Sequence, residues 1–74
     1  MKYTVVIEKA PNNYAAYAPD VPGCIATGKT IEDVTRNIRD ALELHFEVGQ
    51  ERGESIPEST TLATVVEVAV PVPA

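Results

Sequence analysis

Residues 17–24, with the sequence Tyr-Ala-Pro-Asp-Val-Pro-Gly-Cys, constrain the backbone more than any other part of this chain. Pro19 and Pro22 each fix their own φ angle and favour an extended conformation at the preceding residue. Gly23 permits backbone angles that other residues avoid. We therefore predict a stiff bend between two short strands. Such a bend can hold a contact surface that includes Asp20 and Pro22, or it can serve only as a well-specified turn.

The rest of the pattern predicts short strands and one long helix. Strands are predicted over residues 3–8, 14–18, 24–27 and 62–70, the last of them rich in valine. Thr30 is predicted to cap a helix that runs from Ile31 to about Glu51 and stops at Gly53. The order is β-β-β-α-β. We therefore predict an α+β fold, with a three- to four-stranded, mainly antiparallel sheet and one helix on one face.

The length of 74 residues predicts a single domain over residues 1–74, in which residues 71–74 form a short tail. Cys24 is the only cysteine, so no disulfide can form within the chain. The N-terminus enters a strand pattern directly, and no apolar stretch is long enough to cross a membrane. These features predict a cytoplasmic location.

One helix can cover one face of a small sheet, so the other face must be polar or be covered by something else. The predicted strands at residues 14–18 and 62–70 are apolar on both faces. This pattern predicts a partner, and we expect a homodimer or a higher homo-oligomer.

The helix has two chemically different sides at 3.6 residues per turn. The inner side, which we expect to pack on the sheet, gathers Ile31, Val34, Ile38, Ala41, Leu42, His45 and Gly49. We expect His45 to be packed among these residues. The outer side carries an acidic face with one basic residue, and it comprises Asp33, Arg36, Asp40, Glu43 and Glu47 and extends to Glu51 or Glu54. Its chief members, Asp40, Glu43 and Glu47, are called the acidic ridge below, and Leu44 and Val48 flank it. The ridge is either a solvated face or a docking strip for a basic protein.

The net charge of -5 favours a basic partner and argues against direct nucleic-acid binding by the monomer. No pattern of ligands for a metal ion or of a phosphate-binding loop is recognisable, so we expect no cofactor, no metal and no enzymatic activity. Cys24 is expected to be a small buried residue rather than a nucleophile. The candidate partner-binding residues are Asp20, Pro22, Asp40, Glu43, Leu44, Glu47 and Val48.

The motifs resemble those of the HicB family of antitoxins, from bacterial and archaeal toxin–antitoxin pairs. The resemblance rests on residues 14–24, on Gly28 and Thr30, on Glu32, Asp33, Val34 and Asn37, and on the Ile56-Pro57 pair. It implies a truncated ribonuclease-H-like α+β fold without catalytic acids. It also implies that the chain binds a small basic toxin of the HicA type, an mRNA-cleaving ribonuclease, and inhibits it by covering its active site.

Many members of that family also carry a C-terminal segment that binds operator DNA. Here four residues follow Val70, so we expect a short form that neutralises a toxin but binds no operator by itself. Two alternatives stay open. The chain could be an orphan homo-oligomeric domain that binds another protein or a small ligand. A metal-dependent nuclease on the same scaffold is the less favoured alternative.

Overall fold

The computed structural model describes residues 1–73, and Ala74, the last residue of the predicted tail, lies outside the described residues. Residues 1–73 form three strands and one helix: β1 (Val6–Lys9), β2 (Tyr14–Tyr17), β3 (Ile25–Gly28) and α1 (Ile31–Glu51). The sheet has the order β1-β2-β3, and both strand pairs are antiparallel. The predicted α+β fold is confirmed, with three strands in the sheet.

The bend between β2 and β3 has the tight geometry that its prolines and glycine predict. The backbone N–H of Val21 donates to the carbonyl of Ala18 at 3.0 Å, and that of Cys24 donates to the carbonyl of Val21 at 3.3 Å. Gly23 has a φ of 83°, a left-handed conformation that glycine adopts without strain. The Val21 side chain is fully buried, so the bend is anchored in the core.

Helix α1 begins and ends where the sequence predicts. The Thr30 hydroxyl accepts a hydrogen bond from the backbone N–H of Asp33 at 3.0 Å and caps the first turn. At the other end, Gly53 has a φ of 74°, and the N–H of Glu54 donates to the carbonyl of Gly49 at 2.8 Å. A left-handed glycine just after the last turn is a common helix stop.

The helix packs closely on the sheet at the end of β3. A Cβ atom added to Gly28 would lie 2.5 Å from the backbone nitrogen of Val34. Backbone atoms cannot move aside as a flexible side chain can. Gly28 therefore lets the strand and the first turns of the helix approach each other.

The core lies between the helix and one face of the sheet. Its buried members are Ala16, Ala18, Val21, Cys24, Val34, Ile38 and Leu42.

The prediction that Cys24 is buried is confirmed, whereas the prediction that His45 is packed is wrong, because His45 is exposed. Helix side chains that are four residues apart differ in direction by only about 40°. The row of buried side chains on α1, Val34, Ile38 and Leu42, therefore continues to Phe46, whose ring centroid lies 5.2 Å from that of Tyr3.

The predicted fourth strand over residues 62–70 is wrong for the chain as described, because this segment pairs with no strand among residues 1–73. Every residue from 62 to 73 is exposed, and Val65 reaches 97% exposure. A valine-rich run becomes a strand only where another strand accepts its backbone hydrogen bonds. The segment instead leaves the body, and the molecule measures 59 × 28 × 17 Å.

Candidate partner-binding surface

Asp20 connects the bend to the C-terminal part of the chain. Its Oδ2 accepts from the backbone N–H groups of Thr60 at 2.8 Å and Thr61 at 2.9 Å. Its Oδ1 accepts from the hydroxyl of Thr60 at 3.1 Å and from that of Thr61 at 2.6 Å. These bonds, above all the Thr61 hydroxyl bond, lower the pKa of Asp20 to about 2. We call this arrangement the Asp20 latch.

Two further hydrogen bonds hold the same stretch against the start of the chain. The Thr4 hydroxyl donates to the carbonyl of Thr61 at 2.5 Å, and the Tyr3 hydroxyl donates to the carbonyl of Pro57 at 2.5 Å. Residues 57–61 are therefore fixed to the body at several points. The exposed segment begins immediately after them.

A groove of about 350 Å³ lies between the start of β3 and the C-terminal half of α1, and we call it the β3 groove. Leu44 and Val48 line it from the helix, and Gly23, Cys24 and Ile25 line it from the bend and the strand. Leu44 is 61% exposed and Ile25 is 73% exposed. Pro22 is exposed next to Gly23 at the same end of the molecule. The fold thus brings Leu44 and Val48 to the bend.

A second groove, of about 620 Å³, lies between the β1 edge of the sheet and α1, and we call it the β1 groove. Its floor and walls are mostly apolar. The apolar lining residues are Met1, Tyr3, Val5, Ile7, Ile38, Leu42, Phe46 and Ile56, and Thr35, Arg39 and Glu43 supply polar atoms. β1 is an edge strand, so one row of its backbone groups is unpaired within the sheet of the described residues.

The acidic ridge, Asp40, Glu43 and Glu47, is exposed on the helix. Glu43 lines the β1 groove, and Leu44, the next residue, lines the β3 groove, so the ridge runs between the two grooves. The Arg36–Asp33 pair, at 2.6 Å, is the one ion pair among residues 1–73. The carboxylates of the ridge are therefore available to a positively charged surface.

Residues 1–73 hold no cluster of three or more His, Cys, Asp or Glu side chains that could bind a metal ion. Burial raises the pKa of the Cys24 thiol, which keeps the sulfur protonated and weakly nucleophilic at neutral pH. No helix within that stretch is long and apolar enough to cross a membrane.

The surface also contains residues that the sequence did not single out. Ile25 is outward-facing in β3 because its neighbour Ala26 packs against the core, and strand alternation could have revealed this. Thr60 and Thr61 carry hydroxyl donors, but their pairing with Asp20 spans about 40 positions along the chain. No local pattern marks such a contact.

Comparison with known proteins identifies the family. The profile described as "HicB_like antitoxin of bacterial toxin-antitoxin system" matches residues 3–69, which include β1 to α1, the Asp20 latch and most of the exposed segment. This chain belongs to the HicB-like antitoxin family. The match therefore confirms the resemblance found in the motifs.

Similar proteins occur in a phage, a bacterium and an archaeon. A 14.9 kDa protein of Haemophilus phage HP1 is 36% identical over 84% of this chain and 47% of its own length. A UPF0150 protein of Helicobacter pylori is 44% identical over 62% of this chain and 64% of its own length. A UPF0150 protein of Thermoplasma acidophilum is 38% identical over 77% of this chain and 84% of its own length. The chain thus spans about half the length of the phage relative.

The fold is similar to a chain in the solved structure of the "HicA3 and HicB3 toxin-antitoxin complex". The TM-score is 0.66 and the sequence identity is 31%, over 74% of this chain and 64% of that chain. The β-β-β-α body of this chain is therefore similar to part of a chain in a toxin–antitoxin complex, and it covers less than two thirds of that chain's length.

Proposed function

We propose that this chain is a non-enzymatic antitoxin that neutralises a small basic HicA-type toxin by covering its mRNA-cleaving active site. The observation that carries the proposal is the 31% identity and TM-score of 0.66 to a chain in a toxin–antitoxin complex. A toxin that cleaves mRNA meets its substrate in the cytoplasm, which is where we expect the antitoxin to act. Self-association as a homodimer or higher homo-oligomer is part of the same proposal.

The charge distribution supports a basic partner. Asp40, Glu43 and Glu47 project from one side of α1 and make no ion pair within residues 1–73. The chain as a whole has a net charge of -5. Unpaired charges of one sign attract an oppositely charged partner over a distance and accelerate the encounter. The acidic ridge would then orient the toxin on the helix.

The β3 groove supports an apolar anchor beside that ridge. Leu44 and Val48 border it, and Ile25 and Leu44 are both largely exposed. Stable interfaces commonly have an apolar centre within a charged rim. We propose that a toxin side chain enters this groove while the acidic ridge forms the rim.

Asp20 and Pro22 contribute to this surface by shaping it. All four hydrogen bonds of the Asp20 carboxylate go to Thr60 and Thr61, so the carboxylate is engaged within the chain. Pro22 and Gly23 set the bend at the mouth of the β3 groove. In this proposal Asp20 positions the bend, and Pro22 provides an exposed contact.

The test is co-purification with the product of the neighbouring small gene, followed by calorimetric titration. We expect a tight complex with a basic, histidine-containing protein and loss of its RNA cleavage. Absence of binding by the folded chain would overturn the antitoxin proposal and favour an orphan domain, whatever the oligomeric state of the chain. Metal-dependent RNA cleavage by the pure chain would contradict the non-enzymatic assignment.

Alanine at Asp40, Glu43 and Glu47 together is the variant that addresses the acidic ridge. We expect slower association and a weaker dependence of affinity on salt, because screening acts on the charges that this variant removes. The matched control replaces Glu8, Glu32 and Glu58, which are exposed acids outside the ridge, so both variants change the net charge equally. Equal binding by the two variants at low salt would remove the ridge from the proposal.

A further inference from the structure

The segment of residues 62–70 is unusually apolar for a stretch without any cover. Leu62 is 94% exposed, Val66 70%, Val68 74% and Val70 79%. In an extended chain, even-numbered residues share one face, and on this face the segment carries Leu62, Thr64, Val66, Val68 and Val70. Water-exposed apolar runs of this kind mark interaction sites.

The starting point of the segment is fixed, although the segment itself is free of the body. Thr61 is held by the Asp20 carboxylate, and its carbonyl accepts from the Thr4 hydroxyl. Nine extended residues after this anchor reach about 30 Å. The segment is thus tethered at Thr61, projects from the body and can reach a neighbouring molecule.

The same chain presents a surface that lacks a matching strand. The β1 edge has a free row of backbone donors and acceptors in the sheet of residues 1–73, and Ile7 on this strand is 38% exposed. The β1 groove beside this edge has a volume of about 620 Å³ and is lined mainly by apolar groups, including Val5, Ile38 and Phe46. An added strand would satisfy the edge and fill the groove together.

We propose that residues 62–70 of one chain pair with the β1 edge of a second copy, and that Val66 and Val68 enter that copy's β1 groove. Each chain carries one segment and one groove, so a reciprocal exchange closes a symmetric dimer with neither element left over. The proposal deepens the self-association part of the proposed function and does not require a toxin. A second copy is the occupant because one exchange covers both the exposed segment and the exposed groove.

Substitution within the segment tests the exchange without touching the core. Val68→Lys should raise the dimer dissociation constant by about 10- to 100-fold, because a valine side chain loses its buried site. The matched control is Val72→Lys, which makes the same change at a position that is 89% exposed and lies outside the segment. Analytical ultracentrifugation measures both constants, and circular dichroism checks that both variants keep their helix.

Cross-linking between isotopically distinct chains identifies the contact. A photoreactive residue at position 66 in a mixture of ¹⁴N and ¹⁵N chains should give mixed-isotope links to residues 3–9. A monomer at all concentrations overturns both the exchange and the self-association proposal. A dimer that links position 66 elsewhere, or tolerates Val68→Lys as well as Val72→Lys, overturns the exchange alone. Neither result bears on toxin binding, which the calorimetric titration measures separately.

Discussion

The inner side of α1 and the C-terminal segment of residues 62–70 are both rich in branched apolar residues, but the first is buried and the second is exposed. Val34 and Ile38 pack on the sheet and are 0% and 2% exposed, whereas Val65 and Val68 are 97% and 74% exposed. The difference lies in what each can pack against. The helix faces a sheet made by the preceding residues, whereas the segment after the Asp20 latch pairs with no strand of its own chain among residues 1–73. Apolar side chains favour burial, but the topology of the fold determines whether a single chain has a surface within reach that can bury them.

The largest expected contrast comes from truncating one valine or isoleucine in each region. Ile38→Ala should lower the free energy of unfolding by about 2–5 kcal/mol, because it leaves a cavity in the core. Val65→Ala should change it by less than about 0.5 kcal/mol in the monomer, since the side chain is already in water. Urea denaturation at low protein concentration measures both values. A similar loss for the two variants would show that the segment is packed on its own chain.

Substitutions at two glycines test how closely the helix and the sheet approach each other. Gly28→Ala should destabilise the fold by about 1–3 kcal/mol, because its methyl group would press against the backbone of Val34. Gly49→Ala is the matched control, since its Cβ would lie 3.7 Å from the Glu54 carboxylate, an ordinary contact distance. In a helix this change should stabilise by up to about 1 kcal/mol. Thermal unfolding should therefore shift in opposite directions, and a shift in the same direction would contradict the close approach.

A smaller effect is expected at the latch that joins the two regions. The folded pKa of Asp20 is about 2, below its ordinary value of 3.8. The stabilisation from the latch is therefore present above about pH 4 and is lost as the pH falls towards 2. We expect the protection of the Thr60 and Thr61 amides, measured by NMR hydrogen exchange relative to the intrinsic exchange rate at each pH, to fall over this range.

Asp20→Asn should abolish this pH dependence at Thr60 and Thr61 without changing protection in α1. Asp40→Asn is the control, because it removes an exposed acid that holds no segment of the chain. Protection at the two threonines that does not respond to pH in the wild-type chain would rule out the latch.

Local chemistry was sufficient to predict the elements of the body. Thr30, Gly53 and the proline-rich bend each act within a few residues, so the ends of α1 and the turn before β3 followed from the sequence. His45 and Phe46 are adjacent, and the gradual rotation of the helical stripe placed Phe46 inside and His45 outside. An error of one residue changes which side chain is buried.

The unpaired state of residues 62–70 could not be read from the sequence. The pattern describes a good strand, but pairing depends on a free edge that the single chain can reach. The Asp20 latch likewise joins residues about 40 positions apart, which no spacing rule identifies. Sequence therefore located the acidic ridge and its flanking Leu44 and Val48, whereas the structure was needed to reveal the two grooves on either side.

The most direct test of the antitoxin proposal is a titration of toxin-catalysed RNA cleavage with the purified chain. The toxin is the purified product of the neighbouring small gene, and a labelled mRNA reports the cleavage rate. We predict that cleavage falls linearly to zero at a fixed stoichiometry, and that the variant with alanine at Asp40, Glu43 and Glu47 requires more chain than the control with alanine at Glu8, Glu32 and Glu58. Undiminished cleavage at a large excess of folded wild-type chain would contradict the proposal.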